Sequence, residues 1–207
     1  MLIHDDHPDF ETLSGDGRVV AYFGYGSLAN KATLRTRFLA IRRAEVMGWR
    51  RFWLPRPGGI ALLSVRPDRG HVTQGVVVYD HADNLAAVDL REAGYIRRDV
   101  AAPAIEAAPR VKAKVHIYEA IHPEVDAADT GATILQSYLD AVLQGFLSLY
   151  GRDGVARFVA ETEGFETDIL ADRHAPRYPR AVALCDGEAN LFDGLVTARG
   201  AMLRPMG

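Results

Sequence analysis

The chain has one cysteine, Cys185. That excludes an internal disulfide framework, and with it any structural zinc site that needs several thiolates. Lysine is almost missing: Lys31, Lys112 and Lys114 are the only ones. Arginine carries the positive charge instead, but it is scattered, and "WRRF" and "IRRD" are too short for a phosphate track. The formal net charge is −3, so the chain as a whole offers no electrostatic case for nucleic acid or an anionic membrane. No window approaches the roughly 18 apolar residues of a transmembrane helix. The opening "MLIHDDHPDF" has neither a basic start nor a long apolar run, so no secretory signal is read there. A soluble, cytoplasmic protein is the expectation. No internal repeat and no low-complexity segment is found. What is present is ordinary: 207 residues, 48% hydrophobic and 25% charged, enough for one well-buried domain without staples.

Residues 1–17 are polar and acidic and read as a loose arm, with 18–207 as a single domain carrying a C-terminal helical or loop extension. His4, Asp5, Asp6 and His7 in the arm are metal-capable residue types, but a solvated tail is the reading preferred for them. Residues 18–25 read as a strand, rich in valine and aromatics. "NKATLRTRF" has helical spacing, with Leu34 and Phe38 four apart. "AEVMGWRRFWLP" alternates as an extended segment. "GIALLSVRP" and "QGVVVYD" read as two strands joined by a polar turn around Asp68 to His71. "DNLAAVDLREAG" reads as a short helix with Leu85, Val88 and Leu90 inward and Gly94 as its C-cap glycine. "KAKVHIYEA" is a further strand. Residues 132–163 are helical with a break near Tyr150-Gly151, and Leu135, Leu139, Val142, Leu143, Phe146 and Leu149 form an apolar stripe. "DRHAPRYPRAVALCDGE" reads as an ordered loop or tail, with Cys185 as a small buried residue and His174 on the surface. Strands crowd the first 120 or so residues and helices the rest, which is an α+β arrangement.

Two motifs carry chemistry. In "AYFGYGSLAN" an apolar strand ends in Gly24, Tyr25, Gly26 and Ser27. A tight turn explains such glycines. So does a need for bare backbone near a ligand. The dinucleotide fingerprint fails here, because no second strand of a βαβ unit follows. A Walker loop fails because no Gly-Lys-Ser/Thr closes it. Free N–H groups at a strand end instead suit a carboxylate, an amino-acid head group or a developing oxyanion. The second motif is "DLREAGYIRRDV". Glu92 stands at the C-terminal end of the short helix, where the dipole raises a carboxylate's pKa, and Leu90, Ala93 and Tyr95 flank it with apolar surface. Both effects suit a general base. The alternative is a surface glutamate paired with Arg91 or Arg97.

"YFGYGSL" followed by "LREAGYIRRDV" resembles the γ-glutamylcyclotransferase superfamily, and the Gly-Ser-Leu ending and the Arg-Glu before Gly-Tyr look most like its ChaC-type branch. "MGWRRFWL" is similar to the segment between those motifs in that branch. "QSYLDAVLQG" resembles the tyrosine-bearing helix start of the γ-glutamylcyclotransferase branch. The resemblance covers roughly residues 20–148. It implies a small mixed β-barrel flanked by helices, with the glycine loop at one mouth. It also implies a reaction in which a substrate's α-amino group attacks its own γ-carbonyl, closing to 5-oxoproline and releasing an amine or amino acid. Glu92 is then the proton-transfer residue. Gly24, Tyr25, Gly26, Ser27 and Leu28 form the substrate loop, and Tyr138 contacts the head group unless it merely caps the core. No metal and no cofactor is implied; the partner is a small γ-glutamyl compound.

The sequence also departs from the family. Leu28 stands where one branch has asparagine, "PRPGGIALLSVRPDRGHVTQG" is more compact than the glutathione-acting branch's insert, and the tail from residue 161 onward matches neither branch. Three readings therefore remain open: a cyclotransferase, a non-catalytic small-molecule binder on the same fold, and an amide-cleaving or acyl-transfer enzyme for a γ-glutamyl-decorated metabolite.

Overall fold

The computed structural model describes residues 6–34, 37–107, 113–122 and 124–206. The fold is α+β: a mixed sheet of nine strands flanked by helices. Strand β1 (Val19–Gly24) is buried along its whole length. A strand covered on both faces reads as a continuous apolar run, which is why "VVAYFG" does not alternate. It pairs antiparallel with the end of β3 (Ile60–His81) and parallel with β6 (Val115–Ala120). Strand β2 (Ala40–Arg56) and β3 form a long hairpin, turned at Pro57-Gly58-Gly59 with φ of +87° and +71° at the two glycines.

The expected turn at Asp68–His71 is instead a bulge in one continuous strand. Met47 pairs with Val72 and Trp49 with Pro67, so residues 68–71 sit opposite Gly48 alone, which has φ +86°. A bulge of this kind bends the strand and breaks its alternation. Beyond it Phe52 and Trp53 are both fully buried, Trp53 in the main core and Phe52 in a small cluster with Leu54 and Ala120.

The bend lets the sheet curl. Strand β4 (Tyr95–Val100) pairs with β6, and that edge returns to the first half of β3. There Ser64 Oγ accepts from Ala120 N at 3.0 Å and Tyr95 Oη donates to Leu63 O at 2.9 Å. The short strands β5 (Ile105–Ala107), β7 (Thr133–Leu135), β8 (Ile169–Leu170) and β9 (Leu203–Arg204) complete the sheet.

Helix α3 (Gln136–Glu161) is the main flanking helix, interrupted at Gly151 with φ +68°. The six expected stripe positions are all buried, five of them on α3; the sixth, Leu135, ends strand β7, so the helix starts at Gln136 and not at residue 132. Helix α2 (Leu85–Arg91) buries Val88, but Leu90 is 79% exposed rather than inward. A helix this short has room for one buried ridge, and Leu90 lies off it. No helix among the described residues is long and apolar enough to cross a membrane.

Several expectations are corrected. The arm is not loose where it is described: helix α1 (Phe10–Gly15) buries Phe10 and Leu13, and Asp6 pairs with Arg42. His4 and Asp5 lie outside the described residues. The helix expected over "NKATLRTRF" is only a 3-10 turn, Lys31–Thr33, ended by extended Leu34; residues 35 and 36 lie outside the described set. The expected helical or loop extension carries a helix, α4 (Glu188–Thr197), whose position the sequence reading did not specify and whose Phe192 and Val196 are buried in the core. Cys185 is exposed, not buried, while His174 is on the surface.

Candidate functional site

At Gly24 the strand ends against a wall that leaves no space for side chains. A Cβ on Gly24 would stand 2.7 Å from Leu28 Cβ and 3.0 Å from a Val76 methyl. A Cβ on Gly26 would stand 3.2 Å from both Leu63 Cδ1 and Tyr138 Oη. Gly26 has φ −135°, so space rather than a left-handed backbone is what demands glycine there. The chain then enters a 3-10 turn, Ser27–Ala29. The first amides of any helical turn lack internal partners. Those of Ser27 and Leu28 donate to no described residue, while Ala29 N and Asn30 N close the turn onto Gly26 O and Ser27 O.

The loop is supported from three sides. Below it, buried Arg51 donates to Tyr25 O (3.2 Å), Gln74 O (2.8 Å) and Thr162 Oγ1 (2.9 Å), with its guanidinium 4.0 Å over the Phe158 ring. Burial disfavours the Arg51 charge; the hydrogen bonds and the ring face compensate for it. Behind it, Asn30 Nδ2 donates to Ala141 O of α3 at 2.8 Å. Across it, Tyr25 Oη donates to Tyr118 O at 2.5 Å.

Helix α2 delivers Glu92 to the same place. The chain leaves the helix through Glu92, and Gly94 takes φ +89°, as a terminating glycine does. A cleft of about 650 Å³ is lined by Tyr25, Gly26, Ser27 and Leu28 together with Glu92 and Tyr138. Gly24 is not in its wall; it shapes the loop from behind. The Glu92 side chain is 17% exposed and Arg91 Nε lies 3.1 Å from its Oε1. Glu92 is thus paired with Arg91 but is not a surface residue: it lines the cleft. Burial raises its pKa above the ordinary glutamate value, while Arg91, Arg180 and Arg56 pull it back. Arg91 also reaches Thr33 O at 2.9 Å and Ser27 Oγ at 3.3 Å, so one guanidinium ties the carboxylate to the glycine loop. Tyr138 stands edge-on to Trp53 and to Tyr178, at centroid distances of 6.0 and 5.0 Å.

Sequence reasoning missed the cationic part of this cleft. Arg56, Arg91 and Arg180 line it, with Tyr95, Tyr118 and Tyr178. Arg91 and Tyr95 were quotable from the motif around Glu92. Arg56 closes a hairpin and carried no signal. Tyr178 and Arg180 come from the tail, which is brought over by a buried carboxylate. Asp172 accepts from Ser137 N (2.7 Å) and Ser137 Oγ (2.6 Å) at the start of α3, and from Arg177 N (2.9 Å). A carboxylate on a helix N-terminus is held by free amides and by the dipole; here it also fixes the tail beside Tyr138. A cationic cleft with one partly desolvated carboxylate and two open amides can hold an anionic ligand, accept a proton and stabilise a developing oxyanion.

No curated protein is detectably similar in sequence. Among solved structures, YkqA from Bacillus subtilis superposes with a TM-score of 0.54 at 16% identity, over 72% of this chain and 56% of that one. Uncharacterized protein loc79017 from Homo sapiens gives 0.49 at 14%, over 85% and 99%. A yeast gamma glutamyl cyclotransferase specific to glutathione gives 0.44 at 14%, over 89% and 97%. Of the three, the YkqA likeness alone exceeds a TM-score of 0.5, and at 16% identity it concerns the fold alone. The model of the family "Gamma-glutamyl cyclotransferase, AIG2-like" matches residues 22–135, more than half of the chain and inclusive of both the glycine loop and Glu92. The chain belongs to the gamma-glutamyl cyclotransferase, AIG2-like family.

Proposed function

We propose that this protein cyclises the γ-glutamyl group of a small-molecule conjugate to 5-oxoproline and releases the amine or amino acid attached to it. The observation that carries the reading is the meeting of Glu92 with the open amides of Ser27 and Leu28 in one cleft, on a chain of this family.

The chemistry follows from those groups. The substrate folds back so that its α-nitrogen approaches its own γ-carbonyl carbon. Holding that conformer makes the attack intramolecular, an advantage of order 7 kcal/mol or more in favourable cases. Glu92, as carboxylate, takes a proton from the α-ammonium. The new C–N bond forms, and the carbonyl oxygen becomes an oxyanion facing the Ser27 and Leu28 amides. The tetrahedral centre then collapses and the bond to the leaving nitrogen breaks as Glu92 returns its proton to that nitrogen; the ring nitrogen gives up its second proton by the same route, so the products are the lactam with one N–H and the leaving group as an ammonium. No water enters and no electrons leave the system. Arg91 holds the Glu92 carboxylate toward the loop, and Tyr138 and Gly26 bound the space for the glutamyl head.

A purely binding role has the same cleft but gives a buried general base nothing to do. The test is to incubate the protein with glutathione and a panel of γ-glutamyl amino acids and amines and to assay 5-oxoproline. Release from at least one member supports the reading; binding without any release supports a non-catalytic module; free glutamate in place of 5-oxoproline supports amide hydrolysis.

A further inference from the structure

A second cleft, of about 790 Å³, adjoins the first and shares Leu28, Arg91 and Arg180 with it. Its remaining wall is almost wholly apolar: Leu34, Ala87, Val88 and Leu90, with Tyr22. Leu90, 79% exposed on the rim, is a large apolar residue that nothing in the described chain covers. At the junction of the two clefts stands Arg180. It makes no hydrogen bond or close ion pair with any described residue and acts on Glu92 only through its field, and its Nε is buried without a partner. The other two arginines are engaged: Arg91 with Glu92, Thr33 and Ser27, and Arg56 with the carbonyls of Ala93 and Gly94. A buried, unpaired guanidinium donor between a polar cleft and an apolar one is an unfinished site.

Resting on the cyclotransferase reading, we infer that the second cleft receives the leaving group, and that this group is an α-amino acid with an apolar side chain. Its carboxylate pairs with Arg180 at the junction, and its side chain lies on Leu28, Leu34, Val88 and Leu90. The scissile nitrogen then stays in the first cleft beside Glu92. The geometry accounts for the two observations the reaction alone leaves idle: the open apolar surface on α2 and the unpaired donor on the tail.

The test compares 5-oxoproline release from γ-glutamyl-leucine, γ-glutamyl-glycine and γ-glutamyl-isopentylamine, the last being the leucine conjugate without its carboxylate. Wild type should favour leucine over glycine by about 10-fold or more in kcat/KM, the usual yield of an apolar pocket. It should favour leucine over isopentylamine by roughly 10- to 100-fold, as expected for a charge-assisted hydrogen bond. Arg180→Gln should erase the second preference and Arg180→Lys should restore part of it. Leu90→Glu, an exposed change with little risk to folding, should shrink the leucine-to-glycine ratio. Equal turnover of leucine and glycine conjugates by wild type overturns the inference and leaves the cyclotransferase reading standing. So does an Arg180→Gln variant that lowers all three substrates alike. Absence of 5-oxoproline from these three and from every other γ-glutamyl compound offered overturns both.

Discussion

Gly145 on α3 sets how closely that helix approaches the glycine loop, and replacing it with alanine tests the packing that places the site. A Cβ at 145 would lie 2.8 Å from Asn30 N and 2.9 Å from Ala29 C. Non-bonded carbon contacts are comfortable at about 3.5 Å or more, so the methyl is roughly 0.7 Å too close. The atoms it meets are backbone, so no rotamer change relieves the clash. Overpacking of this kind costs about 1–3 kcal/mol. Alanine's better helix propensity returns about 1 kcal/mol. Because the neighbour is rigid the upper half of the penalty applies, and the net loss is about 1–2 kcal/mol. For a chain of this size that lowers Tm by roughly 2–8 °C. The relief must come from moving the Ser27–Ala29 turn away from α3, and a shift near 1 Å in a reacting constellation can cost about 100-fold in rate. Gly194 on α4 is the control. A Cβ there meets nothing within 4 Å, so Gly194→Ala should be neutral or stabilising by up to about 1 kcal/mol. Thermal melts of both variants read the result. If Gly145→Ala stabilises as much as Gly194→Ala does, α3 and the loop are not in backbone contact and the account of how the loop is placed fails.

Glu92→Gln keeps the shape but cannot accept the α-ammonium proton, so 5-oxoproline release should fall about 10²–10⁴-fold with little change in substrate affinity; unchanged turnover of a confirmed substrate would remove Glu92 from the mechanism. Burial raises the Glu92 pKa, and the base must be ionised to work, so kcat/KM should fall as pH falls through a point above the ordinary glutamate value of about 4.3, and a profile flat down to that value would contradict the assignment. Asp172→Ala strips the acceptor from Ser137 and Arg177, which should cost about 2–4 kcal/mol in urea unfolding and, by releasing the segment that carries Tyr178 and Arg180, raise KM.

The sequence by itself determined the local chemistry. A strand ending in Gly-Tyr-Gly-Ser and a short helix ending in Glu92 before Gly94 were legible because strand composition, capping and glycine spacing are properties of neighbouring residues. The long α3 stripe and the break at Gly151 were legible for the same reason: helical periodicity is local. Where the expected pattern failed, a long-range partner decided the outcome. The polar stretch 68–71 became a bulge because Met47 and Trp49 hold its two flanks in one ladder. Among the described residues of "NKATLRTRF" the helix gave way to a 3-10 turn, Lys31–Thr33. Arg56, Tyr178 and Arg180 carry no signature as individual letters, and they line the cleft because a hairpin end and the Asp172-anchored tail converge on it. Only the tertiary structure brings Ser27 and Arg91, 64 positions apart, within hydrogen-bonding distance. Convergence of that kind is set by the curl of the sheet and the packing of α3, which are sums over many weak contacts and are written at no single position.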